Sequence, residues 1–528
     1  MLKKLTAIFL IITIIMTFFV QPAFADFQPE LPSLYQVFKD YFMFGSFHSL
    51  SSFFGSSRDM MHHHYNIWAP SNEFKPSGLL DLNTAASNYN AVYNEVNADG
   101  VITPEEEERL FAANTTIVLG STSQQLNFLN QVRALNATRS PEDQVKVKCH
   151  TLFWHNLSQQ PEAFFHEGFS NSRPWASKEV MLARIDSYIQ KVFERFAPYK
   201  DIIYSWDVVN EALDDFSGFL RNENDYQESR WGRIFKRPDI TDREQRLWEE
   251  TVWVRKAFES AAKYNNEYDL GLTLVYNDFF DANKDYEPKL TSNIIMLRPI
   301  YEQMKRDGVT FVVGLQNRNA TSLDLDVFID MYNRYSEVCD EFQTTESDCR
   351  SDYVANPNYS RDALPYYLED GITKNPNWTY SAWQNTPNAQ VALVREGWTA
   401  SMANRPEIQR EQADWLADQF DFLLENSKAN GGKLVMYMLD GVSDSQTFNS
   451  NKGAHIFMAA DSSGNTNYTA KMSYYAIIGS VPRFEIRKLL EKAPTDDQKD
   501  NYTPQSWDKF VQARQAAQEI LDVRIYDL

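Results

Sequence analysis

A chain of 528 residues, 43% hydrophobic and 14% aromatic, can build one large domain with a substantial core and something smaller beside it. Its 72 acidic against 51 basic side chains leave a formal charge of -21, which excludes nucleic acid and anionic membrane surfaces as partners, since both need a basic footprint. A soluble enzyme acting on a neutral polymer is compatible with that balance.

The first residues read as an export signal. Lys3 and Lys4 form a short basic region, an apolar run follows from Leu5 to Val20, and Ala23-Phe24-Ala25 has the small-x-small form of a signal peptidase site. The run falls short of the roughly 20 residues that a comfortable membrane span needs. Residues 1–25 are therefore expected to be a signal peptide, cleaved after Ala25. The mature protein is then secreted or held at the cell surface, with no membrane segment of its own.

From residue 30 to 482, short apolar runs alternate with longer helical patterns. Strands are predicted at 41–47 (YFMFGSF), 65–70 (YNIWAP), 145–155 (VKVKCHTLFWH), 201–211 (DIIYSWDVVNE), 270–279 (LGLTLVYNDF), 309–317 (VTFVVGLQN), 341–347 (EFQTTES) and 433–439 (KLVMYML). They are near-continuous apolar runs, as strands covered on both faces should be. Stretches such as 177–198 and 407–429 repeat apolar residues at three and four positions, the period of an amphipathic helix. Eight strands alternating with helices predict an α/β chain folded as a (β/α)8 TIM barrel. A doubly wound open sheet fits less well, because no glycine-rich phosphate loop follows the first strand.

Other segments stand out along the chain. His62, His63 and His64 point in different directions on any regular element, so a helix end is expected there, not a metal site. Residues 81–117 look inserted. Within them, EVNADGVITPEE (Glu95–Glu106) resembles an EF-hand calcium loop, with Glu95, Asn97, Asp99 and Glu106 at loop positions 1, 3, 5 and 12. A structural calcium ion is one expectation for it; a helix–turn–helix with an acid-rich second start is the other. Cys339 and Cys349 flank a strand-like run, and ten extended residues span roughly 30 Å, far beyond the ~7 Å between bridged Cα atoms. No disulfide is expected between them. A second inserted stretch, 348–405, follows the seventh predicted strand at the end where barrel loops build a site, and is expected to wall a substrate groove. Residues 483–528 read as a short helical C-terminal extension.

In a TIM barrel, catalytic side chains come from the C-terminal ends of strands. Two carboxylates stand there: Glu211 closes DIIYSWDVVNE and Glu346 closes EFQTTE. Glycoside hydrolysis needs such a pair, one carboxyl protonated to donate to the leaving oxygen and one ionised to attack the anomeric carbon. No metal-ligand cluster or nucleophile–histidine pattern competes with them, so catalysis is expected to need no cofactor. Asn210 suits a hydrogen bond to a sugar 2-hydroxyl.

The surrounding motifs resemble those of glycoside hydrolase family 10, the endo-1,4-β-xylanases. WDVVNEAL (206–213) is similar to that family's acid/base motif and TTESD (344–348) to its nucleophile motif. SNEFK (71–75), HTLFWHN (150–156), YNDFF (276–280), GLQNR (314–318) and DGVSD (440–444) fall, in order, where its second, third, fifth, sixth and eighth strand motifs should be. The resemblance implies Glu211 as acid/base and Glu346 as nucleophile of a retaining, internally cleaving xylanase, their carboxyl groups ~5–5.5 Å apart. It also implies Asn72, Lys75, His150, Trp154, Asn210 and Gln316 as sugar contacts, a polysaccharide as partner, and a monomer. The tail DNYTPQSWDKFVQARQAAQEILD looks like the opening of a FIVAR module.

The chain also departs from the pattern. Arg318 stands where the family has a histidine against the nucleophile, and a permanent charge there would hold Glu346 ionised while tempering its attack. Ser71 replaces a glutamate, Asp440 replaces the tryptophan that roofs the central subsite, and Phe448 replaces the next tryptophan. Arg318 and Asp440 therefore join the expected substrate-facing set. Two alternatives stay open: a retaining hydrolase of a different or decorated β-glycan, and a non-catalytic glycan-binding relative.

Overall fold

Buried apolar runs become the staves of a closed parallel barrel. The strands are β1 (Met43–His48), β2 (Ile67–Pro70), β3 (Lys146–Phe153), β4 (Ile203–Asn210), β5 (Thr273–Asp278), β6 (Phe311–Leu315), β7 (Arg318–Ala320), β8 (Glu341–Arg350) and β9 (Leu434–Leu439). The order β1-β2-β3-β4-β5-β6-β8-β9 returns to β1 through parallel pairs, so eight strands close on themselves as a TIM barrel. The computed structural model describes residues 28–524 apart from 56, 223–227, 280–285, 322, 351–405, 444–453 and 459–467.

Each of the eight predicted runs overlaps one stave; six staves lie within their runs, and β1 passes its predicted end by one residue. The ninth strand, β7, has no counterpart among the predictions. Its three residues, Arg-Asn-Ala, carry no apolar signal; pairing with the far end of β8 makes them a strand and sets Arg318 opposite Asp348. β8 in turn runs three residues beyond its predicted end, through Arg350.

The helices between staves form the outer ring. The one at Lys178–Phe196 begins where Ser177 accepts from Val180 N–H at 3.2 Å, and it buries Val180, Met181, Ile185, Tyr188, Ile189, Val192, Phe193 and Phe196 against the barrel. The interior is filled by Phe47, Ile67, Ala69, Met436 and Met438 from β1, β2 and β9, which makes it a packed core and not a pore. Cys149, Cys339 and Cys349 are all buried.

The inserted 81–117 stretch folds as two helices, Leu82–Val96 and Pro104–Thr115. The groove-wall segment predicted at 348–405 lies, from 351 onward, outside the described residues, as do the signal region and Phe448. At the C-terminal end, the helix Met472–Glu491 passes without a break through position 482. A further helix, Pro504–Asp522, ends where the Arg483 guanidinium donates to the carbonyls of Ile520, Leu521 and Val523, at 3.1, 2.7 and 2.7 Å. Among the described residues no helix is long and apolar enough to cross a membrane.

Candidate active site

Glu211 is the first residue after β4, and it leaves the strand in the left-handed region, with φ of 53°. That conformation costs a non-glycine residue about 1–3 kcal/mol and persists only where neighbours hold it. Here Glu211 N–H donates to Asn277 O at 3.0 Å, and its carbonyl accepts from Arg221 Nε at 3.0 Å. The backbone is pinned from both sides, which turns the carboxylate into the mouth of the barrel.

That carboxylate is only 5% exposed and is ringed by donors. Trp154 Nε1 and His155 Nε2 each donate to Oε2 at 2.9 Å, and Gln316 Nε2 donates to Oε1 at 2.6 Å. Burial is the largest influence on Glu211 and pushes its carboxyl up; His155, Arg221 and Trp154 together outweigh it and hold the group well below the ordinary carboxylate range. Burial, aided by Arg221, lowers His155 in turn, and its Nδ1 finds no partner. Facing a carboxylate, Nε2 is the ring nitrogen that carries a proton.

Glu346 sits in β8 at a register irregularity between Thr344 and Ser347. Its N–H donates to Gln316 O at 3.1 Å, Oε1 accepts from Asn277 Nδ2 at 3.2 Å, and Oε2 accepts from Arg318. Arg318 also holds Asp440, through Nη1 at 2.6 Å and Nη2 at 2.9 Å. Burial lowers Arg318, but Asp440, Glu346 and Asp348 more than offset it, so the guanidinium stays charged.

The sugar-facing candidates are held by bonds of their own. Asn210 Oδ1 accepts from Asn277 Nδ2 at 3.1 Å, while its buried Nδ2 has no partner, a donor left for a ligand. His150 donates from Nδ1 to Asp207 at 2.7 Å, and the other oxygen of Asp207 accepts from Lys148. Lys75 donates to Asn72 Oδ1 at 3.0 Å and lies 4.8 Å over the Trp154 ring. Burial lowers the Lys75 ammonium, against the pull of Glu346 and Glu211.

Glu211, Glu346, Asn72, Lys75, His150, Trp154, Asn210, Gln316, Arg318 and Asp440 all line one cavity of about 510 Å³, together with Ser71. A wider depression of about 600 Å³, between the helices carrying Thr115, Asp186 and Lys256, has no carboxylate pair, and Asp186 there is already bonded to Ser260 and Tyr264. Of these two, only the first cavity holds a carboxylate pair.

The pattern of Glycosyl hydrolase family 10 matches residues 33–480. The chain belongs to that family. It is similar to the bifunctional endo-1,4-beta-xylanase XylA of Ruminococcus flavefaciens, 27% identical over 60% of this chain and 27% of that protein. It is similar also to a putative endo-1,4-beta-xylanase of Caldicellulosiruptor saccharolyticus, 31% identical over 39% of this chain and 58% of that one. A third relative, the exoglucanase XynX of Acetivibrio thermocellus, is 26% identical over 64% of this chain and 24% of that protein. The chain thus spans between 24% and 58% of the length of these three relatives. Among solved structures, the N-terminal endo-1,4-beta-D-xylanase 10B modules of Clostridium thermocellum complexed with xylohexaose share the fold, with a TM-score of 0.56 at 20% identity, over 87% of this chain and 69% of that one.

Against this family 10 frame, sequence reasoning passed over residues that hold the site together. Asn277 bridges Asn210 and Glu346, and its Oδ1 accepts from Thr345 at 2.6 Å. His155, Arg221 and Asp207 act on Glu211 or His150 in the same supporting way. Asn277, His155 and Asp207 lie inside quoted motifs, but a motif does not say which of its letters reach across to the next strand.

In the loop expected to take calcium (Glu95, Asn97, Asp99 and Glu106), the acids have partners within the protein. Glu95 accepts from Arg109 at 2.8 Å, while Glu106 accepts from Thr103 N–H at 2.8 Å and from its hydroxyl at 2.9 Å, completing a capping box. The carboxylates are turned to the start and flank of the next helix and do not converge, and among the described residues no group of three His, Cys, Asp or Glu could hold a metal. The segment is the helix–turn–helix. His62 and His63 likewise serve packing, His62 stacking on Trp68 with centroids 5.1 Å apart and His63 bonding Leu31 O at 2.7 Å.

Proposed function

We propose that this family 10 chain cleaves internal β-1,4 linkages of xylan with retention of configuration, Glu211 acting as general acid/base and Glu346 as nucleophile. The observation that carries the reading is that two buried carboxylates in one cavity have unlike partners. Glu346 has a guanidinium, which suits a group that must be an anion when it attacks. Glu211 has three N–H donors. A glycosidic oxygen entering the cavity can take one of those donors away, and burial, already the largest influence on Glu211, then favours the acid form that protonates the leaving oxygen. Once the glycosyl-enzyme has formed, the same donors suit the carboxylate that draws a proton from water. The unpartnered Nδ2 of Asn210 is available to the sugar 2-hydroxyl.

The test is reducing-sugar release from xylan by Glu211→Gln and Glu346→Gln. Each should lose about 10³- to 10⁶-fold in turnover, and wild-type turnover in both on every β-glycan tried would end the assignment. A second reading, a different or decorated β-glycan, is favoured by the Arg318–Asp440 ion pair in the cavity wall and by the exoglucanase among the relatives. A panel of xylan, mixed-linkage glucan and decorated xylans separates the two. Export with cleavage after Ala25, a monomeric state, and a FIVAR-like helical module over 483–528 complete the proposal.

A further inference from the structure

Arg318 is shared between two carboxylates. Nη2 donates to Oε2 of Glu346 and, at 2.9 Å, to Oδ1 of Asp440, while Nη1 donates to Oδ2 of Asp440 at 2.6 Å. Two parallel bonds of this kind fix the plane of a guanidinium as well as its place. Asp440 thus decides how the remaining N–H of Nη2 meets Glu346. Asp440 is itself anchored to the same strand, since its N–H donates to Ser347 O at 3.2 Å, one residue beyond Glu346. Asp348 also approaches Nη1, but at 3.5 Å and from outside the cavity lining.

The charge on this cluster changes during the proposed reaction. As the anomeric carbon–oxygen bond breaks, a Glu346 oxygen bonds to the anomeric carbon, and the proton of Glu211 passes to the leaving oxygen. Glu346 is then a neutral ester. A guanidinium paired with Glu346 alone would lose its close counter-ion at that moment and would resist the step. Asp440 forms no new bond in that step.

We propose that Asp440 is a positioning residue for the nucleophile: it takes up the charge of Arg318, so that Glu346 is free to give up its own on forming the glycosyl-enzyme. This rests on Glu346 being the nucleophile.

The experiment follows the burst of aryl leaving group from a dinitrophenyl β-xylobioside, read as glycosylation rate and substrate affinity. Asp440→Asn should slow glycosylation by about tenfold or more, with affinity little changed, and Asp440→Glu should restore most of the rate. Removing the stranded cation as well, in Arg318→Gln/Asp440→Asn, should make the enzyme faster than Asp440→Asn alone. Glycosylation at the wild-type rate in Asp440→Asn, or a double variant no faster than that single one, overturns the inference. Trapping the wild type with a 2-fluoro glycoside and mapping the labelled peptide tests the premise separately. A label on another residue overturns the nucleophile reading and this inference with it; a label on Glu346 beside an unslowed Asp440→Asn overturns the inference alone.

Discussion

The indole of Trp154 donates from Nε1 to Oε2 of Glu211 at 2.9 Å, so one side chain is both a wall of the cavity and a brace on the Glu211 carboxylate. Trp154→Phe keeps a ring and removes the donor. Glu211, held below its ordinary range partly by that bond, should rise. If Glu211 is the general acid, the alkaline limb of kcat/KM reports its loss of a proton, so that limb should move to higher pH. Turnover should fall by on the order of 10- to 100-fold. A pH–rate profile superposable on the wild type would rule out this role for the indole.

Asp207 and Lys148 are fully buried and bonded to each other beneath His150. Asp207→Asn leaves the ammonium without its counter-ion and should destabilise the fold by about 3–5 kcal/mol, measured by urea unfolding. Replacing both partners by Leu and Met should recover much of that. Burial raises Asp207, but Lys148 and His150 bring it below its ordinary 3.8. Its contribution is therefore present above about pH 4 and fades as pH falls toward the folded value.

His48 and His62 give a second, higher window of pH dependence. Burial holds each at about 4, against 6.5 when unfolded, with Arg139 and Arg58 adding to the effect at His62. Between those values the unfolded chain takes up protons that the folded one refuses. Stability is full above about pH 6.5 and should decline as pH drops toward 4. His62→Phe, which can keep the stacking on Trp68, should flatten that decline in urea midpoints taken from pH 7 to 4.5; an unchanged slope would assign the dependence to other groups.

The capping box at Thr103 makes a contrast with the calcium expectation. Thr103→Ala should cost about 1 kcal/mol, since it removes the acceptor for Glu106 N–H and one of the two donors to the Glu106 carboxylate. A chelator should leave the melting temperature unchanged. A chelator-dependent drop would restore a metal role to Glu95–Glu106.

The staves were legible because strands buried on both faces read as unbroken apolar runs, and the two carboxylates because each closes such a run. The 95–106 segment stayed open in the sequence, because the same acids that can ligate calcium also cap and flank a helix start, and composition does not separate the two. The supporting residues were illegible for a different reason: Asn277 matters through bonds to Asn210 and Glu346, which are 67 and 69 positions away.

From the sequence alone came the barrel, the family resemblance, Glu211 and Glu346, and the two odd residues Arg318 and Asp440 as separate departures. Only the tertiary structure joined those two. They stand 122 positions apart, and they meet because β7 pairs with the end of β8 while Asp440 hangs from Ser347 on that same strand. Local periodicity encodes which segments form staves. Which charges face one another across the mouth depends on strand order and register, and these are settled when the barrel closes.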